Sequence, residues 1–584
     1  TIDAPAGLTA DLALRCFSTL ESWIRDLKEP APADLPPGVQ SIAGASVTLR
    51  FDGAIIGRGD VLVPAGITPR ENPFLTAARD AWKEARARIP EGNDAFAEDR
   101  RRLFAADIQI SLQLTEAPRV INPLSFEEID LSIARGLDGV AVRIGDRVEP
   151  IFPAAMVERD LSPGDALAAC ASRAAGDPTL GIRTNPLTQP PALVKSHEAA
   201  FYAFRPLHLA QAAPGEPARF LHRGGRVVPA RDLTSLSMRQ WADGIAARLI
   251  DLTIIEPLDD SKPPHPDAEG RICLRLPGTY HAATGKFDPE FATIRQQGLV
   301  AAALTRYARI VEKTSPPNHE RARNVAIRLL RDILEHIPGG PPNAESDEAA
   351  IARDLAFQFL HQDLVYEQSF RPWHEKQGLS SITRWDQILT INRLTPLEEK
   401  SPARAISWSA RGELAMALAI RKSPQAADHI RDVFRQLSVA RLHEAMPWIG
   451  YAELTLASAT EPGPSIALMR EWREEVYGRM FPMAPLGFDD ADLSGGISAA
   501  RGLPPTAESA RSVAFLARML GDERLTDRQE FPKELSRLLS ALRFLRQLTI
   551  DEFATYAAAS PRQSRWGVRR APWDLRLDPE DSAI

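Results

Sequence analysis

From Asp232 onward the chain reads as one amphipathic segment after another, separated by short loops rich in proline and glycine. This succession restricts the fold more than any other feature of the 584 residues. Apolar residues recur at helical spacing over Leu233–Ile250, Phe291–Lys313, Glu320–His336, Ser346–Tyr366, Trp385–Asn392, Ser407–Arg421, Gln425–Ser438, Leu442–Leu456, Ser465–Tyr477, Thr506–Leu520 and Glu530–Leu548. Helices in this number, joined by short loops, pair as antiparallel hairpins. About six such pairs can close on themselves as an α/α toroid, with an open solenoid as the alternative.

The first part of the chain has a different period. Residues 8–28 suit an amphipathic helix that ends at Pro30–Pro37. Ala45–Phe51 alternates and meets the turn pair Asp52-Gly53, which predicts a hairpin. Asn72-Pro73 opens a helix through Arg86, and Asp107–Leu114 alternates as a strand. Two strands flank Gly145-Asp146, with helices near Ala154–Glu158 and Pro163–Ala175. Phe201–His208 reads as one further strand, and Arg223-Gly224-Gly225-Arg226 as a hairpin tip rather than an anion-binding loop. Strands interleaved with helices make this an α+β region.

A chain this long exceeds one core, and the expected division is a helix with a Pro-rich linker over 1–40, an α+β domain over 41–185, a β-rich connection over 186–230 and the helical domain over 231–584. Hydrophobic residues at 44% and charged residues at 25% are globular values. A net charge of -7 speaks against a nucleic-acid binder, and no apolar run reaches the length of a membrane span. Cys16, Cys170 and Cys273 are isolated and read as buried free thiols. The chain begins at Thr1, so a removed export signal and a cytoplasmic location are both compatible with it, and the localisation is open.

Two resemblances sharpen this layout. Val47–Gly59, Asn72–Arg86, Ile108–Pro118 (IQISLQLTEAP) and Leu137–Val157 (LDGVAVRIGDRVEPIFPAAMV) follow one another as in the AMME syndrome candidate-protein (AMMECR-type) family, over roughly residues 41–185. Gly57 matches the Arg-Gly-Cys-Ile-Gly signature of that family, but Arg58 stands at its cysteine and Asp60 at its second glycine, so no activity carries over. The stretch Gly278–Arg309, with Asp492–Ile497 and Gly567–Asp574, resembles α/α-toroid proteins of squalene-cyclase-like or six-hairpin glycosidase-like fold. Arg295 and Gly298 match there, and glutamine replaces the histidine. The resemblance implies a multidomain chain in which an α+β N-terminal domain precedes an all-α helical-hairpin toroid.

In a toroid, polar residues near helix starts line a central cleft. Asp288, Glu290 and His281 are the acid–base candidates, and Tyr280 and Arg295 stand beside them as ligand contacts. Two carboxylates and a cation there would suit a sugar or another polar small substrate. The same carboxylates could simply cap a helix starting at Phe291 and pair with Arg295. Further ligand contacts are expected from Trp373 and His374, Asp489 and Asp490, and Arg569, Trp573 and Asp574. Indoles beside charged groups suit a sugar face and its hydroxyl rim. His443-Glu444 is not an HExxH zinc site because position 447 is proline, and Asp489-Asp490-Ala491-Asp492 is out of order for a cyclase acid or a calcium loop. No metal and no cofactor are expected. The partner expected is a carbohydrate or other small polar ligand, with the oligomeric state open. A non-catalytic binding or assembly module is the alternative.

Overall fold

The computed structural model describes residues 7–89, 96–253, 276–336, 348, 351–352, 355–356, 358–359, 406–456, 465–481, 491–499, 503–551 and 557–583. The chain has an N-terminal α/β region of antiparallel sheets followed by a helical region.

The first helix, α1 (Ala10–Arg25), begins at Thr9, whose hydroxyl accepts from the Leu12 amide. Strands β1 (Gly44–Phe51) and β2 (Ala54–Leu62) form the expected hairpin, with Asp52 and Gly53 at φ 48° and 77° as the tight turn demands. Helices α2 (Pro73–Arg86) and α3 (Ala97–Ala106) follow, then β3 (Ile108–Thr115) and β4 (Arg119–Ile121). Next come α4 (Phe126–Ser132), β5 (Gly139–Ile144), β6 (Arg147–Ile151), α5 (Pro153–Glu158), α6 (Pro163–Ala175) and α7 (Pro190–His197). Strands β7 (Ala200–Phe204), β8 (Leu207–Ala210) and β9 (Arg219–Leu221) complete two sheets of order β2-β1-β3-β8-β9 and β4-β7-β5-β6.

The run from Phe201 to His208 is therefore two strands, not one. Proline cannot donate to a ladder, and at Arg205-Pro206 the chain leaves the second sheet and joins the first.

Alternation along β1 sends Val47 and Leu49 into an apolar core shared with α1 and α2. The opposite face carries Ser46, Thr48 and Arg50, all of them buried. β3 repeats the pattern, with Ile110 and Leu112 against the core and Ser111 and Gln113 on the polar side. Glu158, at the end of α5, answers this buried polar face by bridging Arg50 and Arg58. Burial raises its pKa, but the two guanidinium charges outweigh that and hold the carboxyl below its ordinary value. Cys16 and Cys170 are buried, and loss of hydration pushes both thiols up to about 12. Cys273 lies outside the described residues.

The helical region contains α8 (Ser235–Leu252), α9 (Ile294–Val311), α10 (Pro316–His336), α11 (Trp408–Ile420), α12 (Ala426–Gln436), α13 (Trp448–Leu456), α14 (Ser465–Tyr477), α15 (Ser509–Leu520) and α16 (Phe531–Leu548). The short helices α17 (Pro561–Ser564) and α18 (Pro579–Ala583) follow. Between α8 and α9, β10 (Tyr280–His281) and β11 (Lys286–Phe287) form a small sheet with β12 (Arg576–Leu577) from near the chain's end. The helix expected over Leu442–Leu456 is divided. Val439–Glu444 is a 3₁₀ turn, and α13 starts only after Pro447, which has no amide proton to continue a helix. Within Ser346–Tyr366, the described positions 348, 351–352, 355–356 and 358–359 are helical, whereas Trp385–Asn392 lies outside the described residues.

The two regions share a core. Val157 and Ala210 from the first pack with Tyr280, Ala282, Ile550, Ala558 and Leu577 from the second. The β1–β2 turn ends on the same surface, where a Cβ on Gly53 would lie 1.8 Å from the Ala559 carbonyl oxygen. The Arg223–Arg226 turn forms as expected, bridged from His222 to Gly225, with Arg223 and Gly225 buried. Arg223 donates to Asp492 at 3.2 Å and lies over the Trp573 ring, while the Val228 amide donates to Gln547 of α16.

Candidate functional site

The loop between β11 and α9 places the residues expected to do chemistry. Thr293 and Gln296 form a capping box, each side chain accepting from the other's amide, so α9 starts at Ile294. Asp288 and Glu290 do not cap it. Asp288 instead accepts from His281 Nε2 at 2.8 Å, and both side chains are partly open to solvent. Glu290 is exposed, and its carbonyl accepts from the Gly278 amide. Tyr280 is fully buried, its hydroxyl donating to Gln563 and its ring lying under Arg248.

Arg295 pairs with neither loop carboxylate. It reaches Glu413 of α11 at 2.9 Å and Glu580 of α18 at 2.7 Å, with Glu348 at 3.9 Å. Ser409 donates to Glu413, and Arg511 of α15 bonds both Ser409 and Glu580. Burial lowers the pKa of Arg295, but Glu413, Glu580 and Glu348 outweigh it, so the guanidinium stays charged. Glu413 is fully buried, and its Oε2 has no hydrogen-bond partner.

The residues near the last helix hold the fold together. Arg569 is buried and donates to the carbonyls of Gln547, Leu548 and Pro572. Asp574 takes a two-pronged bond from Arg576 and accepts from the Arg576 amide. Trp573 packs beneath Arg223. Tyr280 and Trp573 pack in one apolar cluster, Arg569 holds the carbonyl next to Trp573, and Arg295 is engaged by Glu413 and Glu580. Trp373, His374, Asp489 and Asp490 lie outside the described residues.

Behind α18 lies a feature the sequence did not announce, a cavity of about 370 Å³. Helices α8, α9, α15 and α16 wall it with Ile245, Leu249, Leu304, Val513, Leu542 and Leu545, and Asp581, Ser582 and Ala583 close one side. Its few polar groups come from Trp241, Arg306, Tyr307, Asp581 and Ser582. Trp241 is held by a hydrogen bond to Thr549, and Tyr307 donates to Asp243 at 2.5 Å. Burial, with that bond and the Asp243 charge, raises the Tyr307 pKa. Burial also raises Asp581 to about 7, helped by the charges of Asp578, Glu580 and Asp574 and opposed by Arg570. Asp578 accepts from Gln296. The run Asp578-Pro579-Glu580-Asp581 carried a readable signal, since proline followed by acids opens helices. Arg306 carried none.

Among the described residues no group of three or more His, Cys, Asp or Glu side chains is placed to hold a metal ion, and no helix is long and apolar enough to cross a membrane.

No family model matches the chain, and no curated protein matches it. Among solved structures, the chain is similar to the uncharacterised protein PH0010 from Pyrococcus horikoshii, at 21% identity over 36% of this chain and 94% of that one. The TM-score is 0.25, too low to establish a shared fold.

Proposed function

We propose that the helical region is a small-molecule module built as an α/α toroid, and that its ligand enters the cavity between α8, α9, α15 and α16. The observation that carries this reading is the cavity itself, whose volume falls in the range of ligand pockets and whose walls are mainly apolar. Ring closure is supported by the return of the chain's last described segment to its first helices. α18 packs on α8 and α9, and β12 pairs with β10. The AMMECR-like reading of residues 41–185 is supported by the hairpin, helix and strand order, and the domain limits near 185 and 230 belong to the same proposal.

Such walls favour a ligand with an apolar body. The polar or glycan-like ligand is a second reading, favoured by the solvent-accessible His281–Asp288 pair and by Glu413 and Glu580 around Arg295. Thermal-shift measurements against apolar small molecules and against oligosaccharides separate the two. The expected result is stabilisation by members of the apolar set, abolished by Ala303→Trp, since Ala303 of α9 lines the cavity and an indole there would fill it. Stabilisation by sugars alone, unaffected by that substitution, would move the site to the loop. No shift with either set would leave the assembly-module reading in place.

A further inference from the structure

Taking the cavity as a ligand site, the way its one arginine is held indicates what the ligand carries. Arg306 lies with its guanidinium carbon 5.1 Å from the Tyr451 ring centre, 5.5 Å from that of Trp448 and 5.8 Å from that of Phe359. Three aromatic rings thus lie around the guanidinium, whose five N–H donors lie in its plane. Among the described residues no carboxylate is within ion-pair distance of Arg306, and no acceptor takes one of its hydrogens. None of its nitrogens is a buried atom without a partner, so the donors border open space.

Other arginines of this region are differently placed. Arg295 holds carboxylates, and Arg543 and Arg569 hold backbone carbonyls. A cation among aromatic rings that lines a mainly apolar cavity, with no acceptor for its hydrogens among the described residues, can take an anion there.

We propose that the cavity binds a carboxylic acid with an apolar body, its carboxylate accepting two hydrogen bonds from Arg306 and its hydrocarbon lying along α9 against Leu304, Val513, Leu542 and Leu545. Asp581, the carboxylate in the lining, stands at the other end. Its neighbour Glu580 bonds Arg295 in the first turn of α9. Arg306 follows Arg295 by about three turns, which is ~16 Å along the axis on the same helix face.

Calorimetric titration of the whole chain with octanoate, dodecanoate and hexadecanoate, each paired with the alcohol and the alkylammonium of equal length, tests this. The acid of at least one length is expected to bind tenfold or more tightly than its alcohol. Arg306→Met should reduce the acid to the alcohol's affinity and leave the alcohol unchanged, while Arg306→Lys should retain part of the preference. An alcohol as tight as its acid, an alkylammonium preferred over it, or an acid indifferent to Arg306→Met would overturn the carboxylate assignment and leave the apolar cavity standing. No binding by any of the compounds would remove both. The comparison of ligands uses the unaltered chain, so it decides the matter even where Arg306→Met unfolds.

Discussion

At the scale of single residues, burial decides which titratable groups matter. His208 is buried beside Ser111, and loss of hydration lowers its pKa to about 4. The unfolded chain therefore binds this proton more tightly, and stability is lost as pH falls from about 6.5 towards 4. Asp581 acts in the opposite sense. With a folded pKa of about 7, it contributes stability that is complete below the ordinary carboxylate value near 4 and disappears as pH rises through 7. Asp581→Asn is therefore expected to be more stable than the parent at pH 8, by about 1 kcal/mol after allowance for its partial exposure, with the gap closing towards pH 4. Urea melts of both chains across that range read the difference directly, and the His208 contribution cancels between them. A gap that does not change with pH would show that Asp581 ionises normally. No sequence pattern announces His208, because Ser111 comes from another segment, whereas the acids around Asp581 lie close to it in sequence. The rings around Arg306 belong to positions 359, 448 and 451, and only folding gathers them.

Elements were more legible than residues wherever the period of the apolar pattern was clean. β1 and β3 alternate over their whole length, and Asp52-Gly53 has the turn chemistry a hairpin needs. The start of α9 was legible in principle, since Thr293 and Gln296 have capping-box spacing, but Asp288 and Glu290 drew the expected start back to Phe291. Phe201–His208 misled for another reason: an apolar run hides a change of sheet, and only Pro206 marks it. Close approach of elements is equally invisible in sequence. A Cβ on Gly57 would lie 2.0 Å from the Ala81 carbonyl oxygen of α2, and one on Gly59 2.1 Å from that of Ala77. Gly57→Ala is expected to force β2 from α2 at a cost of about 1–3 kcal/mol. The measurement is the shift of the denaturation midpoint, and an unchanged midpoint would mean that the helix moves freely.

At the scale of the whole molecule, the two regions are joined by more than the chain between them. Arg223 lies within the Asp492 and Trp573 contacts, and Asp492 is fully buried with one oxygen unpaired. Removing the cation should cost about 3–5 kcal/mol, as for other buried pairs that lose one partner. Because the loss falls between the regions, scanning calorimetry of Arg223→Ala is expected to show two transitions where the parent shows one. A single, merely lowered transition would place the coupling in the shared core around Tyr280 instead.

The hairpin tip at Gly53 has a consequence in time as well as in space. A hairpin forms within microseconds of leaving the ribosome, but the Ala559 backbone that covers this one is translated on the order of 25–100 s later at ordinary elongation rates. Throughout that interval the nascent chain carries a finished turn with a bare docking surface. Asp52 and Gly53 are small and polar enough to wait in water, so the seam between the regions closes late without having offered a sticky edge on the way.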